Sequence, residues 1–360
     1  MAEKKQKGLP KQKNSWNQNE IFLSICIPAY NRPYELKRLL NSIDVSCTDE
    51  IEIVISEDMS PRREEIQQMV QAYQNKTDYK VCYYENETNY GYDKNIRQTA
   101  KRANGKWILF MGDDDVFVRN SLDSYIDFLK GNSKTGYVLR RYYSENKDGR
   151  IEDHRYYPAN RMFRPGQDAV VELFRRSVFI SGFTFQKQCF REYDMEKFDG
   201  TLLFQLYIVS CICLKYLSAY CDIPITKSIE GGVPFFGSSN AERGLYESGR
   251  NTSSNAVNFL RQVRILTQEF DRTHQAAITD RVIKSYAKYS YGFLFEFRDA
   301  GKKVFKQYAC EIKKLGMADS LYFKIYYYAL LLFGTKRCQE GIRLMKKYWD
   351  IRPGCKSKGR

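Results

Sequence analysis

The order of apolar runs predicts an α/β protein: a mostly parallel sheet flanked by helices, followed by an α-helical C-terminal region. Three observations predict it. Short, nearly unbroken apolar runs, suited to strands buried on both faces, recur at 21–28, 51–56 and 107–111. Between them lie stretches with apolar residues at helical spacing. From about residue 255 onward only the helical period remains, through Phe259, Val263, Leu266 and Phe270, then Ile278, Val282, Ile283 and Tyr286.

The elements follow in order. Residues 1–20 are polar and Lys-rich, the composition of a flexible basic arm. The first strand, 21–28, ends in the turn-prone Ala29-Tyr30-Asn31-Arg32-Pro33. Pro33 suits a first helical turn, and Leu36, Leu39, Leu40 and Ile43 continue at helical spacing. The second strand, 51–56, ends in Glu57-Asp58-Met59-Ser60, and a helix follows through Ile66, Met69, Val70 and Tyr73. Residues 80–84 form a third strand. A helix over 93–103 stops at Asn104-Gly105. The fourth strand, 107–111, runs into Gly112-Asp113-Asp114-Asp115. Strands alternating with helices of this length imply βαβ units with right-handed crossovers. Farther along, 121–131 reads as helix, 136–143 as an edge strand and 150–168 as irregular loop. A helix at 168–177 leads to 178–185, and 201–221 is strongly apolar. Glycines at 231, 232 and 237 mark a flexible segment near 230–255.

Composition narrows the function classes. The 360 residues are 43% hydrophobic and 28% charged, as in a globular protein with a substantial core. Lys and Arg number 58 against 43 acids, a net charge of +15 that favours polyanionic partners. Ten cysteines without any CxxC read as reduced, largely buried residues of a cytoplasmic protein. With two histidines far apart, a zinc hydrolase or a Ser-His-Asp enzyme is not expected. The opening residues lack the apolar stretch of a secretory signal. The longest apolar runs, 202–214 and 321–333, fall short of the ~18–20 residues that cross a bilayer.

The chemistry concentrates at strand ends. Three consecutive aspartates after a buried strand repel one another and resist burial, and a divalent cation answers both costs. Mg²⁺ or Mn²⁺ takes one or two carboxylates and completes its shell with phosphate oxygens and water. A solvated acidic turn capping the next helix is the structural alternative. A carboxylate at Asp58 can accept from a base imide or ribose hydroxyl, or instead cap the following helix, as Ser60 can. Tyr30 can pack on a nucleobase and Arg32 can approach phosphate.

These blocks, in this order and spacing, resemble the inverting family 2 glycosyltransferases with the GT-A fold. The resemblance covers residues 22 to about 130 well and 130–240 loosely. Its opening strand and nucleotide loop correspond to 24–32, its second-strand acidic motif to 54–60, and the stretch before its metal motif to Asn89-Tyr90-Gly91, Asn95 and 103–108. Its DXD region corresponds to 112–115. The resemblance implies donor-nucleotide contacts from Pro28, Tyr30, Arg32, Asp58, Asn89, Asn95 and Asp113. It also implies Mn or Mg ligands at Asp114 and Asp115. Met59 departs from the family's small turn residue, and Gly112 from the first acid of its triplet. The family's acidic pair bearing the base is replaced by Phe204-Gln205-Leu206, which leaves Asp199 as the candidate base, with Asp194 and Glu196 behind it.

The implied organisation is a basic arm at 1–20, a GT-A catalytic domain at 21–250 and a helical region at 251–360. The catalytic domain divides into a nucleotide-binding half, 21–130, and an acceptor half, 131–250. The expected partners are a nucleotide-diphosphate sugar, with UDP as its expected nucleotide, and a glycan or lipid-linked acceptor of surface polysaccharide. Lys227, Arg243 and Arg250 are expected to close over the donor phosphates. The aromatic and basic stretch from Tyr326 to Arg360 reads either as core with solvated charges or as a dock on an anionic membrane. The expected location is the cytoplasm, including the inner face of the membrane. A nucleotidyltransferase is the alternative enzyme, but the first strand lacks its Gly-rich phosphate loop. A basic nucleic-acid-binding protein is the non-enzymatic alternative. No RRM, KH or zinc-finger pattern accompanies the charge, so no nucleic acid is expected as partner.

Overall fold

The computed structural model describes residues 20–231, 235–249 and 252–351. The basic arm, Arg250 and the basic residues after 351 lie outside these. The first half alternates as the sequence predicts: β1 Leu23–Ala29, α1 Pro33–Leu40, β2 Ile51–Glu57, α2 Arg63–Gln74, β3 Lys80–Glu85, α3 Tyr92–Arg102 and β4 Trp107–Phe110. β1 pairs in parallel with both β2 and β4, and β2 pairs in parallel with β3. Strands β1 and β2 are buried at nearly every position, hence their unbroken apolar runs. Glu52 interrupts that run, and its buried carboxylate accepts from Ser24 Oγ at 2.7 Å and from the Asn104 N–H.

The Asn104-Gly105 stop has a different cause from the one expected. Helix α3 ends with Ala103 already extended, and Gly105 serves close approach. A Cβ there would stand 2.6 Å from the Ser24 backbone nitrogen.

The second half departs from the parallel pattern. It comprises β5 Val116–Phe117, α4 Leu122–Gly131, β6 Thr135–Glu145, β7 Ile151–His154, β8 Arg161–Phe163, α5 Gln167–Phe174, β9 Phe183–Gln186, α6 Lys187–Tyr193, α7 Phe204–Lys215 and β10 Leu217–Ile229. All ten strands described form one mixed sheet, with the path β3-β2-β1-β4-β9-β6-β10-β5, β7 on β6 and β8 on β10. Strand β9 runs antiparallel between β4 and β6. The segment expected as an edge strand is therefore interior, covered by β9 on one side and β10 on the other. The expected loop at 150–168 contains β7 and β8. The apolar stretch 201–221 divides into a helix buried on all sides, α7, and the start of β10. Pro224 falls where the β10–β6 register shifts, the place a sheet tolerates a residue without an N–H donor.

The C-terminal residues form helices as expected: α8 Ser253–His274, α9 Thr279–Lys288, α10 Tyr291–Asp299, α11 Lys302–Lys314 and α12 Leu321–Ile351, the last broken at Gly334. Thr252 caps α8 by accepting from Asn255 N at 3.1 Å. These helices are more than an appendage. Val263, Phe270, Val282 and Ile312 belong to the same buried cluster as Phe110, Phe183 and Tyr207 of the catalytic half. Among the described residues no helix is long and apolar enough to cross a membrane.

Candidate active site

The strand order β3-β2-β1-β4 reverses the direction of the chain between β1 and β4. Open α/β sheets bind ligands at the carboxyl ends beside such a reversal. Here the reversal brings Tyr30 and Arg32, just past β1, against Asp113, just past β4. Asp113 accepts from Tyr30 N at 2.9 Å and from Arg32 Nη1 at 2.7 Å, and Arg32 Nη2 lies 3.1 Å from Asp114. Asn31 makes the turn in the left-handed region at φ 61°, a conformation Asn tolerates. Burial, with Asp114 alongside, outweighs Arg32 and pushes the Asp113 carboxyl up to about 6.

The aspartate triplet separates into three environments. Asp113 is committed to Tyr30 and Arg32. Asp115 is buried and accepts from Ser181 Oγ at 2.5 Å, while the same hydroxyl accepts from Gly112 N at 2.7 Å. Burial, then Asp114, pushes the Asp115 carboxyl up to about 7. Arg140 of β6 holds this turn through Ser181 O at 2.6 Å. Asp115 therefore does not line the cavity, contrary to its expected place as a metal ligand. Asp114 does line it, with 28% of its side chain exposed.

A cavity of about 250 Å³ opens beside this corner, and Pro28, Tyr30, Arg32, Asp58, Asn89, Asn95, Asp113 and Asp114 all line it. The structure thus gathers every expected nucleotide-contact residue in one place. Asp58 accepts from Asn86 Nδ2 and Tyr90 N on one oxygen, at 2.8 and 2.9 Å, and from Gly91 N at 2.8 Å on the other. Burial raises its carboxyl to about 6. The helix cap foreseen at Asp58 or Ser60 is absent; instead Glu57 accepts from Met59 N and Ser60 N at 3.0 and 2.8 Å. Met59, the residue out of keeping with the family, stands at φ 52°, the left-handed region that explains a preference for small residues there. Asn95 bonds Ser56 and Asn86, with its Oδ1 accepting at 2.7 and 2.9 Å.

Sequence reasoning missed Ser238 and Glu242, and took Phe235-Phe236 only as the aromatic pair between the glycines of a lid. Phe235, Phe236, Ser238 and Glu242 line the cavity from the segment after β10. The Phe235 ring meets Tyr30 edge-on at 5.4 Å and lies 4.9 Å from the Arg32 guanidinium. Glu242 is buried and accepts from Tyr92 N at 2.8 Å and Gly237 N at 2.7 Å. The cover over the site is aromatic and carries a carboxylate, whereas a basic one was expected. Lys227 pairs with Glu145 at 2.5 Å, Arg243 is exposed, and Arg250 lies outside the described residues. Glu242 carries no sequence signal beyond its nearness to the glycines. Gly91, at φ +79°, leaves room for it: a Cβ would stand 2.7 Å from Glu242 Oε1.

Asp199 lies elsewhere. Its carboxylate takes Arg97 Nη1 at 2.7 Å, and the same guanidinium holds Asp194 at 2.7 Å and Glu196 at 3.4 Å. None of the three acids lines the cavity, so the expected base and both of its reserves are members of a structural ion cluster. Arg97 is 2% exposed, and Arg97→Met is expected to lower unfolding free energy by about 3–5 kcal/mol, read by denaturant titration.

Nearby Asp93 accepts from Leu202 N and Phe204 N at 2.8 and 3.0 Å. Burial, then Glu242 and Asp199, pushes its carboxyl up to about 7. The unfolded chain ionises this group near 3.9. Between about pH 4 and about pH 7 the fold keeps a proton that the unfolded state has lost, so stability falls as pH rises. Asp58, Asp113 and Asp115 act in the same direction. The Tm of the ligand-free protein is expected to drop by a few degrees between about pH 5 and about pH 8. Asp93→Asn should flatten part of that slope.

Residues 24–191 match the model of glycosyl transferase family 2. That match covers a little under half of the chain. A stretch of 112 residues is 34% identical to the abequosyltransferase RfbV of Salmonella typhimurium, covering 30% of this chain and 33% of that protein. Another of 104 residues is 30% identical to the GalNAc(5)-diNAcBac-PP-undecaprenol beta-1,3-glucosyltransferase of Campylobacter jejuni, covering 28% and 32%. The matched stretch thus spans about a third of each relative's length. The fold is GT-A with a C-terminal helical region, and it is like that of S. aureus TarS 1–349 in complex with UDP-GlcNAc. The TM-score is 0.58 at 15% identity, over 89% of this chain and 92% of that one. The match to the family model ends at residue 191, so Phe235, Phe236 and Glu242 come to the cavity from beyond the matched stretch.

Proposed function

We propose that this protein transfers a sugar, with inversion, from a nucleotide-diphosphate donor to a hydroxyl of a glycan or lipid-linked acceptor in bacterial surface polysaccharide assembly. One observation carries the reading: the Tyr30–Arg32–Asp113–Asp114 corner and Asp58 share a single cavity at the strand-order reversal. The UDP-GlcNAc complex of TarS supports a UDP-sugar as donor, and the name of the Campylobacter jejuni relative supports a lipid-linked glycan acceptor.

In this reading Asp58 and Asn89 receive the nucleoside, with Tyr30 against its ring, and Arg32 meets the diphosphate. Asp114, the triplet's exposed carboxylate, would hold Mn or Mg. Among the described residues no three potential ligand side chains converge. A single carboxylate still fits Mg²⁺ or Mn²⁺, whose remaining positions phosphate and water fill. Such an ion, when bound, neutralises charge on the leaving diphosphate. The acceptor oxygen forms its bond to the anomeric carbon as the bond to the diphosphate oxygen breaks, and the nucleotide diphosphate departs with the electron pair. Glu242 takes the acceptor's proton, because it lines the cavity and Asp199 does not.

A thermal-shift panel of nucleotide diphosphates and their sugars, with and without Mn²⁺, tests the reading. Stabilisation by one nucleotide series, larger with Mn²⁺, is the expected result. No shift with any nucleotide would overturn it.

Contact with an anionic membrane is part of the proposal. Leu321, Ile325, Tyr328 and Leu332 are exposed on α12 before its break at Gly334, and Lys336, Arg337 and Arg343 follow beyond the break. The pair Ile325→Glu and Leu332→Glu is expected to reduce co-pelleting with phosphatidylglycerol vesicles at low salt. Equal pelleting of the wild type and this variant would count against docking.

A further inference from the structure

A second cavity, of about 550 Å³, lies between the catalytic half and helices α8–α11. Tyr92 and Phe236 line both this cavity and the donor cavity, and Glu242 accepts the Tyr92 N–H. The two cavities therefore share a wall at the carboxylate assigned above as base.

Nine of the twenty lining residues are aromatic, among them Tyr246 from the catalytic half and Phe259, Phe293 and Phe297 from the helices. Four polar atoms of lining residues are buried without a hydrogen-bonding partner: Arg175 Nε, Gln205 Oε1 and the hydroxyls of Tyr286 and Tyr308. Gln205, Tyr286 and Tyr308 are 3%, 8% and 1% exposed. Buried polar groups are nearly always paired, so four exceptions around one cavity call for a ligand that pairs them.

We propose that this cavity binds pyranose rings of the acceptor, so that the acceptor enters between the catalytic half and the C-terminal helices; the assignment of these sugars as acceptor rests on the transferase reading. A sugar ring offers apolar C–H faces to aromatic side chains and hydroxyls to isolated donors and acceptors, matching both features of the wall. An aliphatic chain would satisfy the rings and leave all four polar atoms unpaired. The shared wall places an acceptor hydroxyl emerging from this cavity next to Glu242.

Saturation-transfer NMR on the full chain tests the assignment. The probes are the methyl pyranosides of glucose, mannose, galactose and rhamnose, with geraniol as the aliphatic control, while nucleotide binding is followed separately by thermal shift. Saturation transfer to at least one pyranoside is expected in the wild type. Tyr308→Phe and Gln205→Leu, which keep the cavity's shape, should weaken that binding about three- to tenfold. Ala256→Trp, which fills the cavity, should abolish it, and nucleotide binding should persist in all three. Absence of pyranoside binding in the wild type, equal binding in every variant, or preference for geraniol would overturn the proposal. If nucleotides fail to bind while pyranosides bind through these residues, the cavity remains a saccharide site and the transferase reading falls.

Discussion

Asp114→Asn is expected to lower sugar transfer by on the order of 100- to 1000-fold while leaving the fold intact. Of the three consecutive aspartates, it alone combines exposure with a place in the donor cavity. Asp113 is occupied by the Tyr30 N–H and Arg32, and Asp115 by Ser181. The amide keeps the size of the side chain and loses the negative charge that a divalent cation requires. The carboxylate's one side-chain partner is Arg32, in a partly exposed ion pair at 3.1 Å, so unfolding free energy should fall by no more than about 1 kcal/mol. Turnover and Tm measured together separate this outcome from that of Asp115→Asn, which disturbs a buried hydrogen bond. Wild-type turnover in Asp114→Asn at saturating Mn²⁺ would remove the cation role from this residue.

Glu242→Gln is expected to reduce kcat by roughly 100- to 10,000-fold, the range for loss of a positioned general base. Glutamine retains an acceptor for one of the two backbone N–H groups and cannot take a proton. Nucleotide-diphosphate binding should therefore survive, because the contacts assigned to the nucleotide come from β1, β2 and the turn before α3. A kcat loss at nearly constant donor affinity identifies a group acting in the chemical step. Undiminished turnover would place the base elsewhere. The parallel variant Asp199→Asn should change stability through Arg97 and leave the chemical step untouched.

The nucleotide half was legible because its signals are local. An apolar run ending in Tyr30-Asn31-Arg32, another ending in Glu57-Asp58 and a third ending in the aspartates reveal strands and strand ends without knowledge of pairing. The acceptor half was not legible in the same way. Strand β9 has four residues and no period, and its place between β4 and β6 depends on pairing across long sequence separations. Strand β10 follows α7 within one nearly continuous apolar stretch, where burial on all sides erases the helical period. Asp199 stands outside the cavity for a related reason. Asp199 follows a motif-like Phe198, but Arg97, about a hundred positions earlier, is what claims its carboxylate.

The sequence by itself determined the strand-helix alternation, the acidic strand ends and the helical C-terminal region, because hydrophobic periodicity and turn chemistry act over a few residues. The tertiary structure decided which carboxylates are free. Asp115, Asp199 and Asp114 are equally ionisable on paper, yet Ser181 meets the first, Arg97 the second, and Arg32 at the open cavity the third. That choice follows from hydrogen bonds and ion pairs between residues far apart in the chain, formed only once the sheet has closed around the site.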